Sequence, residues 1–300
     1  MKPLNCSFLV LSFAIALSGC GRAKIDRVEW PVMGTIAAVQ VRSASMFFDA
    51  AATNLVRQIV SDLECALNAH DPNSELSRLA PLEEEEILSR CGKSPMWYRR
   101  EVRPCYEAAF KLMHESGGAF NPRWRGPKTL DLGAIAKGFV VDVAAQECYC
   151  DGADALIDIG GNIKAVRGSG GSHRPWRTGV MDPSGGGFAA VVDLHEGEAL
   201  ATSATYYRGS HIYDGRTGLA VSNGVASVTV LCRSAMWADG LSTTLFILGP
   251  EAGRAFVEEK CPLFMPDCDA LPDGKYAAVL WILSDGRQVK LDPDSRFSAR

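Results

Sequence analysis

Leu130-Asp-Leu-Gly-Ala-Ile-Ala-Lys137-Gly138-Phe-Val-Val-Asp142 is the stretch on which the reading of this chain turns, because it sets a lysine where a helix should begin. Ile135, Phe139 and Val143 recur at spacing four, one helical face, while Gly133 and Gly138 leave room for another backbone or a ligand to come close. The open N–H groups and positive dipole end of a helix start disfavour a bare ammonium group, so Lys137 in the first turn makes best sense beside an anion. The segment reads as a candidate phosphate site; a solvated surface lysine is the competing reading, and so short a motif does not by itself choose between them.

Outward from this segment, helices and strands alternate irregularly. Ala50 to Leu67 predicts an amphipathic helix with Leu55, Ile59, Leu63 and Leu67 as its apolar stripe, Arg103 to Ser116 a second, and Met236 to Leu248 a third. Runs at Val32–Val41, Ala155–Ile159, Trp176–Val180, Val225–Leu231 and Tyr276–Leu283 read as strands, with a glycine tip at 168–172 between two of them. Several strand-to-strand links are short enough for hairpins, which argues against a purely parallel sheet. The expected fold class is α+β, mixed or antiparallel sheets with packed helices. No Gly-x-Gly-x-x-Gly sits in a strand-turn-helix setting, which argues against a Rossmann domain. The polar tail from Asp292 reads as a frayed end.

Residues 1–19 read as an export signal. Lys2 is the one early charge, Phe8 to Leu17 is almost wholly apolar but too short to span a bilayer, and Leu17-Ser18-Gly19-Cys20 is similar to a bacterial lipobox. The expected organisation is signal 1–19, lipid anchor at Cys20 on a tether 20–29, and one folded domain 30–300, facing the periplasm from a membrane of the cell envelope. With a formal charge of −4 and no basic stripe, a general nucleic-acid binder is excluded; the acidic run Glu83–Glu86 reads as a solvated face or loop. Of the ten cysteines none forms a Cys-x-x-Cys pair. Cys261 and Cys268 frame a loop with Pro262 and Pro266 and are the candidate bridge, isolated buried thiols being the alternative.

Two further segments carry chemistry. Asp239 and Thr243, four apart, share one face of a helix, and their oxygens suit a hard cation such as magnesium, which keeps waters and takes phosphate oxygens; a solvated helix edge is the plainer account of such a pair. His211-Ile-Tyr-Asp214-Gly-Arg-Thr-Gly218 reads as a strand end running into a tight turn. His211 is a candidate acid or base, since histidine titrates near neutral pH, with a structural histidine beside the turn as the alternative.

Met33-Gly-Thr, Ser74-Glu-Leu-Ser-Arg-Leu, Phe120-Asn-Pro, the Leu130 block, Asp158-Ile-Gly-Gly-Asn, Ala201-Thr-Ser, the His211 block and Ala238-Asp-Gly-Leu-Ser-Thr stand in the order that resembles the ApbE-type FAD:protein FMN transferases. The resemblance covers roughly residues 30 to 250. It implies a T-fold-like core and an enzyme that uses magnesium to move FMN from FAD onto a threonine or serine hydroxyl, releasing AMP. The acceptors it implies are flavin-bearing subunits of membrane redox complexes. By the same resemblance Met33, Asn121 and Lys137 would meet FAD, and Asp239, Thr243 and the Ala134 carbonyl would hold the metal. His211 or Asp214 would take the hydroxyl proton. Three positions depart from the family pattern: Asn121 for an acid, Gly215 for a proline, Ala204 for a glycine. They leave two alternatives open, a lipid-anchored FAD-binding protein and a magnesium-dependent FAD pyrophosphatase without transfer.

Overall fold

The computed structural model describes residues 25–42, 46–91, 102–147, 154–166, 174–205, 211–265, 271, 276–292 and 294–299. The signal 1–19, Cys20, Cys268 and the glycine tip lie outside them. In chain order the elements are β1 (Ile25–Val32), β2 (Thr35–Arg42), α1 (Met46–Leu67), α2 (Glu75–Leu79), α3 (Glu84–Arg90), α4 (Arg103–Glu115), α5 (Ala136–Glu147), β3 (Asp154–Ile159), β4 (Asn162–Val166), β5 (Trp176–Met181), β6 (Phe188–Leu194), β7 (Ala199–Ala204), β8 (Tyr213–Asp214), β9 (Leu219–Ala220), β10 (Val225–Cys232), α6 (Ala235–Glu259), α7 (Cys261–Phe264), β11 (Ala278–Leu283) and β12 (Gln288–Leu291).

Eight strands form one sheet in the order β1-β2-β3-β4-β7-β10-β11-β12, with every neighbouring pair antiparallel. The fold is therefore α+β, as expected, and its large sheet contains no parallel pair. One face buries the main core against α1, α5 and α6; the other buries Leu156, Leu200, Leu231 and Leu280 against Trp176, Val192 and Leu194 of the β5–β6 hairpin. Coverage on both faces explains why β3 and β10 read as nearly continuous apolar runs rather than alternating ones.

The helices follow the apolar periodicity, with one correction. Val56, Ile59, Val60, Leu63 and Leu67 of α1 are buried, but Leu55 is exposed. Spacing four drifts by about 40° per step on a helix of 3.6 residues per turn, so a stripe counted from Leu55 begins at the margin of the buried face. The expectation for Met236–Leu248 is met up to Gly249, whose φ of 76° breaks α6 before Pro250 restarts it.

Two other expectations are corrected and a third is narrowed. β1 starts at Ile25, so the folded unit reaches into the stretch read as a tether. The acidic run is a solvated face rather than a loop: Glu84–Glu86 form the first turn of α3, where carboxylates meet the positive end of the helix dipole. The tail does not fray. The Asp292 carboxylate accepts from the N–H groups of Arg296 (2.7 Å) and Phe297 (2.8 Å), Arg296 pairs with buried Glu198, Phe297 is buried, and Ser298 bridges to Val191. Among the described residues no helix is long and apolar enough to cross a membrane, and Cys65, Cys91 and Cys105 are free thiols.

Candidate functional site

A cavity of about 630 Å³ opens where the β3–β4 turn, the β5–β6 hairpin, the starts of α5 and α6 and the 211–213 segment converge. That volume suits a ligand of dinucleotide size. Its floor is set by the Leu130 block. The Asp131 carboxylate accepts from the Gly133 N–H at 2.9 Å, and the Leu132 carbonyl accepts from the N–H groups of Ile135 (2.9 Å) and Ala136 (2.8 Å), which starts α5. Lys137 turns back over this start: Nζ donates to the Gly133 carbonyl at 2.7 Å and lies 3.4 Å from Oδ2 and 3.5 Å from Oδ1 of Asp239.

Asp239 is almost fully buried and also accepts from the Gly138 N–H at 3.0 Å. Such an approach of α6 to α5 needs glycine: a Cβ at 138 would fall 2.1 Å from the Ala235 carbonyl oxygen and 2.8 Å from Asp239 Cβ. One turn beyond Asp239, the Thr243 hydroxyl faces the same cavity and is 3.0 Å from Ser203 Oγ, which in turn is 2.8 Å from Ser242 Oγ. The structure thus brings Lys137, Ala134, Asp239 and Thr243 together from segments a hundred residues apart.

Whether the set fits a divalent cation follows from its chemistry. A positive charge already bridges the Gly133 carbonyl and the Asp239 carboxylate, so the oxygens here balance a cation. Among the described residues no three His, Cys, Asp or Glu side chains gather as a metal cluster. A cation at this point would have one carboxylate, a hydroxyl and backbone carbonyls, a hard-oxygen set that suits magnesium completed by phosphate and water.

The remaining candidates divide. Asn121 and His211 line the cavity. Asp214 does not: it faces Arg216, which donates to it from its backbone N–H (2.9 Å), Nε (2.9 Å) and a terminal nitrogen (2.6 Å). Those hydrogen bonds, chiefly from the guanidinium, hold the Asp214 carboxyl below the usual carboxylate range against the opposing effect of burial. Met33 sits in the β1–β2 turn with φ of 46°, its N–H donating to Glu64 Oε1 at 2.6 Å; it is not among the lining residues, although Thr35 is. Gly215 is closely packed in its turn. Its N–H donates to the Ala119 carbonyl at 3.0 Å, and a Cβ there would lie 2.2 Å from Asn121 Cβ.

Sequence reasoning gave no role to three groups the structure puts at or beside the cavity. Asp158, inside the all-buried β3, has its carboxyl pushed up to about 6 by burial, opposed by the Gly161 N–H it accepts at 2.8 Å and by the charge of Arg27. An acid within the apolar run Ala155–Ile159 was the available signal. Trp124 and Tyr213 stack at 4.2 Å with an interplanar angle of 11°, and the Arg125 guanidinium lies 4.6 Å from the Trp124 ring centroid, an aromatic wall that no spacing in the sequence foretells. Ser203 was visible in the Ala201-Thr-Ser block.

Residues 123–265 match the model of the ApbE family. The chain is 38% identical over 147 residues to the FAD:protein FMN transferase of Vibrio cholerae, a match covering 45% of this chain and 44% of that protein. It is 29% identical to the FAD:protein FMN transferase of Treponema pallidum over 92% of both chains. Several of the curated relatives are thus matched over less than half of their own length. In fold it is similar to the ApbE protein of Thermotoga maritima, with TM-score 0.71 and 21% identity over 92% of this chain and 100% of that one. The flavinyl transferase ApbE of Pseudomonas stutzeri gives TM-score 0.67 and 23% identity over 94% of this chain and 100% of that one.

Proposed function

We infer, from the place of residues 123–265 in the ApbE family, that this chain is an FAD:protein FMN transferase. It moves FMN from FAD to a threonine or serine hydroxyl of an acceptor protein and releases AMP. The bond formed is acceptor oxygen to the FMN phosphorus, and the bond broken is the anhydride link to the AMP phosphate. The observation that carries the reading is the Lys137 ammonium spanning the Gly133 carbonyl and the Asp239 carboxylate at a helix start that opens into a cavity of dinucleotide size.

Asp239, Thr243 and the Ala134 carbonyl would hold magnesium, which when bound neutralises charge on the diphosphate and orients its oxygens. Lys137 adds a second positive charge against the same oxygens, fixed in place by the Gly133 carbonyl. His211 at the cavity wall takes the proton from the acceptor hydroxyl. Asp214 serves the turn through Arg216 instead, and the geometry favours His211 of the two. Asn121 has its Oδ1 engaged by the Arg123 N–H at 2.8 Å, leaving its amide group to meet the ligand. Met33 enters this scheme only by resemblance, as a flavin neighbour beyond the cavity.

The acceptors in this reading are flavin-bearing subunits of membrane redox complexes, reached by a chain anchored at Cys20 on the periplasmic side. The apolar stretch before Ser18-Gly19-Cys20 supports that placement. Labelling of the wild-type chain by radioactive palmitate in cells, abolished by Cys20→Ala, is the expected result.

The deciding assay incubates the protein with FAD, Mg²⁺ and an acceptor domain. Covalent flavin fluorescence on the acceptor is the expected outcome. Free FMN and AMP without labelling would identify a pyrophosphatase, and intact FAD a binding protein. Asp239→Ala and Thr243→Ala should each lower transfer by about 10²-fold or more while FAD binding stays measurable. His211→Ala should lower kcat; near-normal transfer would remove His211 from the mechanism.

A further inference from the structure

Asp142 lies on α5, outside the cavity, yet its carboxylate accepts four hydrogen bonds beside it. Oδ1 accepts from Lys164 Nζ (2.6 Å) and the Ala235 N–H (3.0 Å); Oδ2 accepts from Ser234 Oγ (2.6 Å) and the Met236 N–H (2.9 Å). Lys164 is held in turn by the Arg233 carbonyl at 3.0 Å. The N–H groups of Ala235 and Met236 are the first of α6, which helices leave open, so Asp142 caps α6 from another helix.

That cap is additional. α6 already has its own in Ser234, whose hydroxyl accepts from the Trp237 N–H at 3.2 Å. What the second cap adds is a fixed position of α5 against α6. One turn before Asp142 on α5 is Gly138, whose N–H holds Asp239 and whose missing Cβ lets the Ala235 carbonyl in. One turn after Ala235 on α6 is Asp239. The two helices are therefore tied at two levels one turn apart, 142 to 235–236 and 138 to 239, and only the second level reaches the cavity.

We propose that Asp142 is a positioning residue: by clamping the start of α6 to α5 it holds the Asp239 carboxylate beside Gly138 and Lys137, where it can share a divalent cation with Thr243 and the Ala134 carbonyl. The inference rests on the reading of Asp239 and Thr243 as metal ligands. A slip of either helix by a fraction of a turn would leave α6 helical through Ser234 but would carry Asp239 away from Lys137.

The test uses the purified full chain with Mn²⁺ as the probe, its free signal followed by electron paramagnetic resonance in the presence of FAD. Wild type, Asp142→Asn, Asp142→Ala and Ser234→Ala are compared, the last deleting one of the four bonds together with α6's own cap. Glu198→Gln, in the link between β6 and β7, serves as a variant that lowers melting temperature without touching α5 or α6. Asp142→Asn should raise the Mn²⁺ dissociation constant by about tenfold, the loss usual when a group that orients a metal ligand is changed, and Asp142→Ala by more. Both should lower kcat with KM for FAD within about twofold. Ser234→Ala should give a smaller shift in the same direction, and Glu198→Gln none. Wild-type Mn²⁺ affinity in the Asp142 and Ser234 variants would overturn the inference alone. Absence of Mn²⁺ binding by the wild-type chain would overturn the metal-site reading and this inference with it.

Discussion

At the scale of single residues, Asp158 is a carboxyl enclosed in β3 with a pKa pushed from 3.8 to about 6 by burial. A raised folded-state value means the folded chain holds that proton more tightly than the unfolded one. The associated stability is fully present below the unfolded pKa near 4 and is lost as pH rises through about 6. Asp158→Asn removes the penalty, so it should stabilise the chain at pH 7.5 by about 2–3 kcal/mol, with the gain vanishing below pH 4. Urea titrations at several pH values check this, and a gain that grows toward acid would contradict it. Gly138 sets a second expectation. Gly138→Ala forces a methyl group onto the Ala235 carbonyl and should cost about 3 kcal/mol or more, read as a drop in denaturation midpoint together with weaker Mn²⁺ binding. Gly138 was legible as a close-approach glycine because it falls within a helical pattern beside a charged residue. Asp158 was not legible as a perturbed acid, since its environment comes from strands and a hairpin distant in sequence.

At the scale of elements, the loop between α4 and α5 carries Asn121, Trp124 and Asp131, and Arg123 staples it. The Arg123 guanidinium donates to the carbonyls of Ala80 (2.9 Å) and Thr129 (3.3 Å) and, more closely, to those of Leu82 and Pro127. Arg123→Met should therefore cost about 3 kcal/mol, since bonds from a charged donor contribute about 1.5–3 kcal/mol each and the freed carbonyls can turn to water. Trypsin should then cut at Arg125 faster than in wild type; unchanged cleavage would show that the loop is held by other means. The longer helices and β10 were readable because their apolar spacing is local. β1 was not: Pro31 interrupts its pattern, and it is tolerated because β1 is an edge strand. Of the site, the α5 start and the Asp239–Thr243 face were readable from helical spacing, whereas the departure of Asp214 from the cavity depends on Arg216, two residues away, folding back on it.

At the scale of the whole molecule, the C-terminal residues close the second core. Glu198 is fully enclosed and its partner Arg296 donates to it at 3.0 Å from one terminal nitrogen and at 2.5 Å from the other. Arg296→Ala would leave that carboxylate buried without its charged partner, held only by the His195 N–H at 2.9 Å among the hydrogen bonds described, at a cost of about 3–5 kcal/mol, and should release Phe297 from its seat; hydrogen exchange at Val191 and denaturant titration would both report it. A polar tail gave no sign of this in the sequence, because the acid it pairs with lies 98 positions upstream. The pairing of β2 with β3 joins Arg42 to Asp154, and α1 to α5 all lie in the chain between them. During synthesis those helices leave the ribosome before the strand that covers them exists, with Ile59, Leu63 and Phe110 still uncovered. The nascent chain therefore exposes these side chains until β3 and β4 arrive, and its yield is expected to fall where holdase chaperones are limiting.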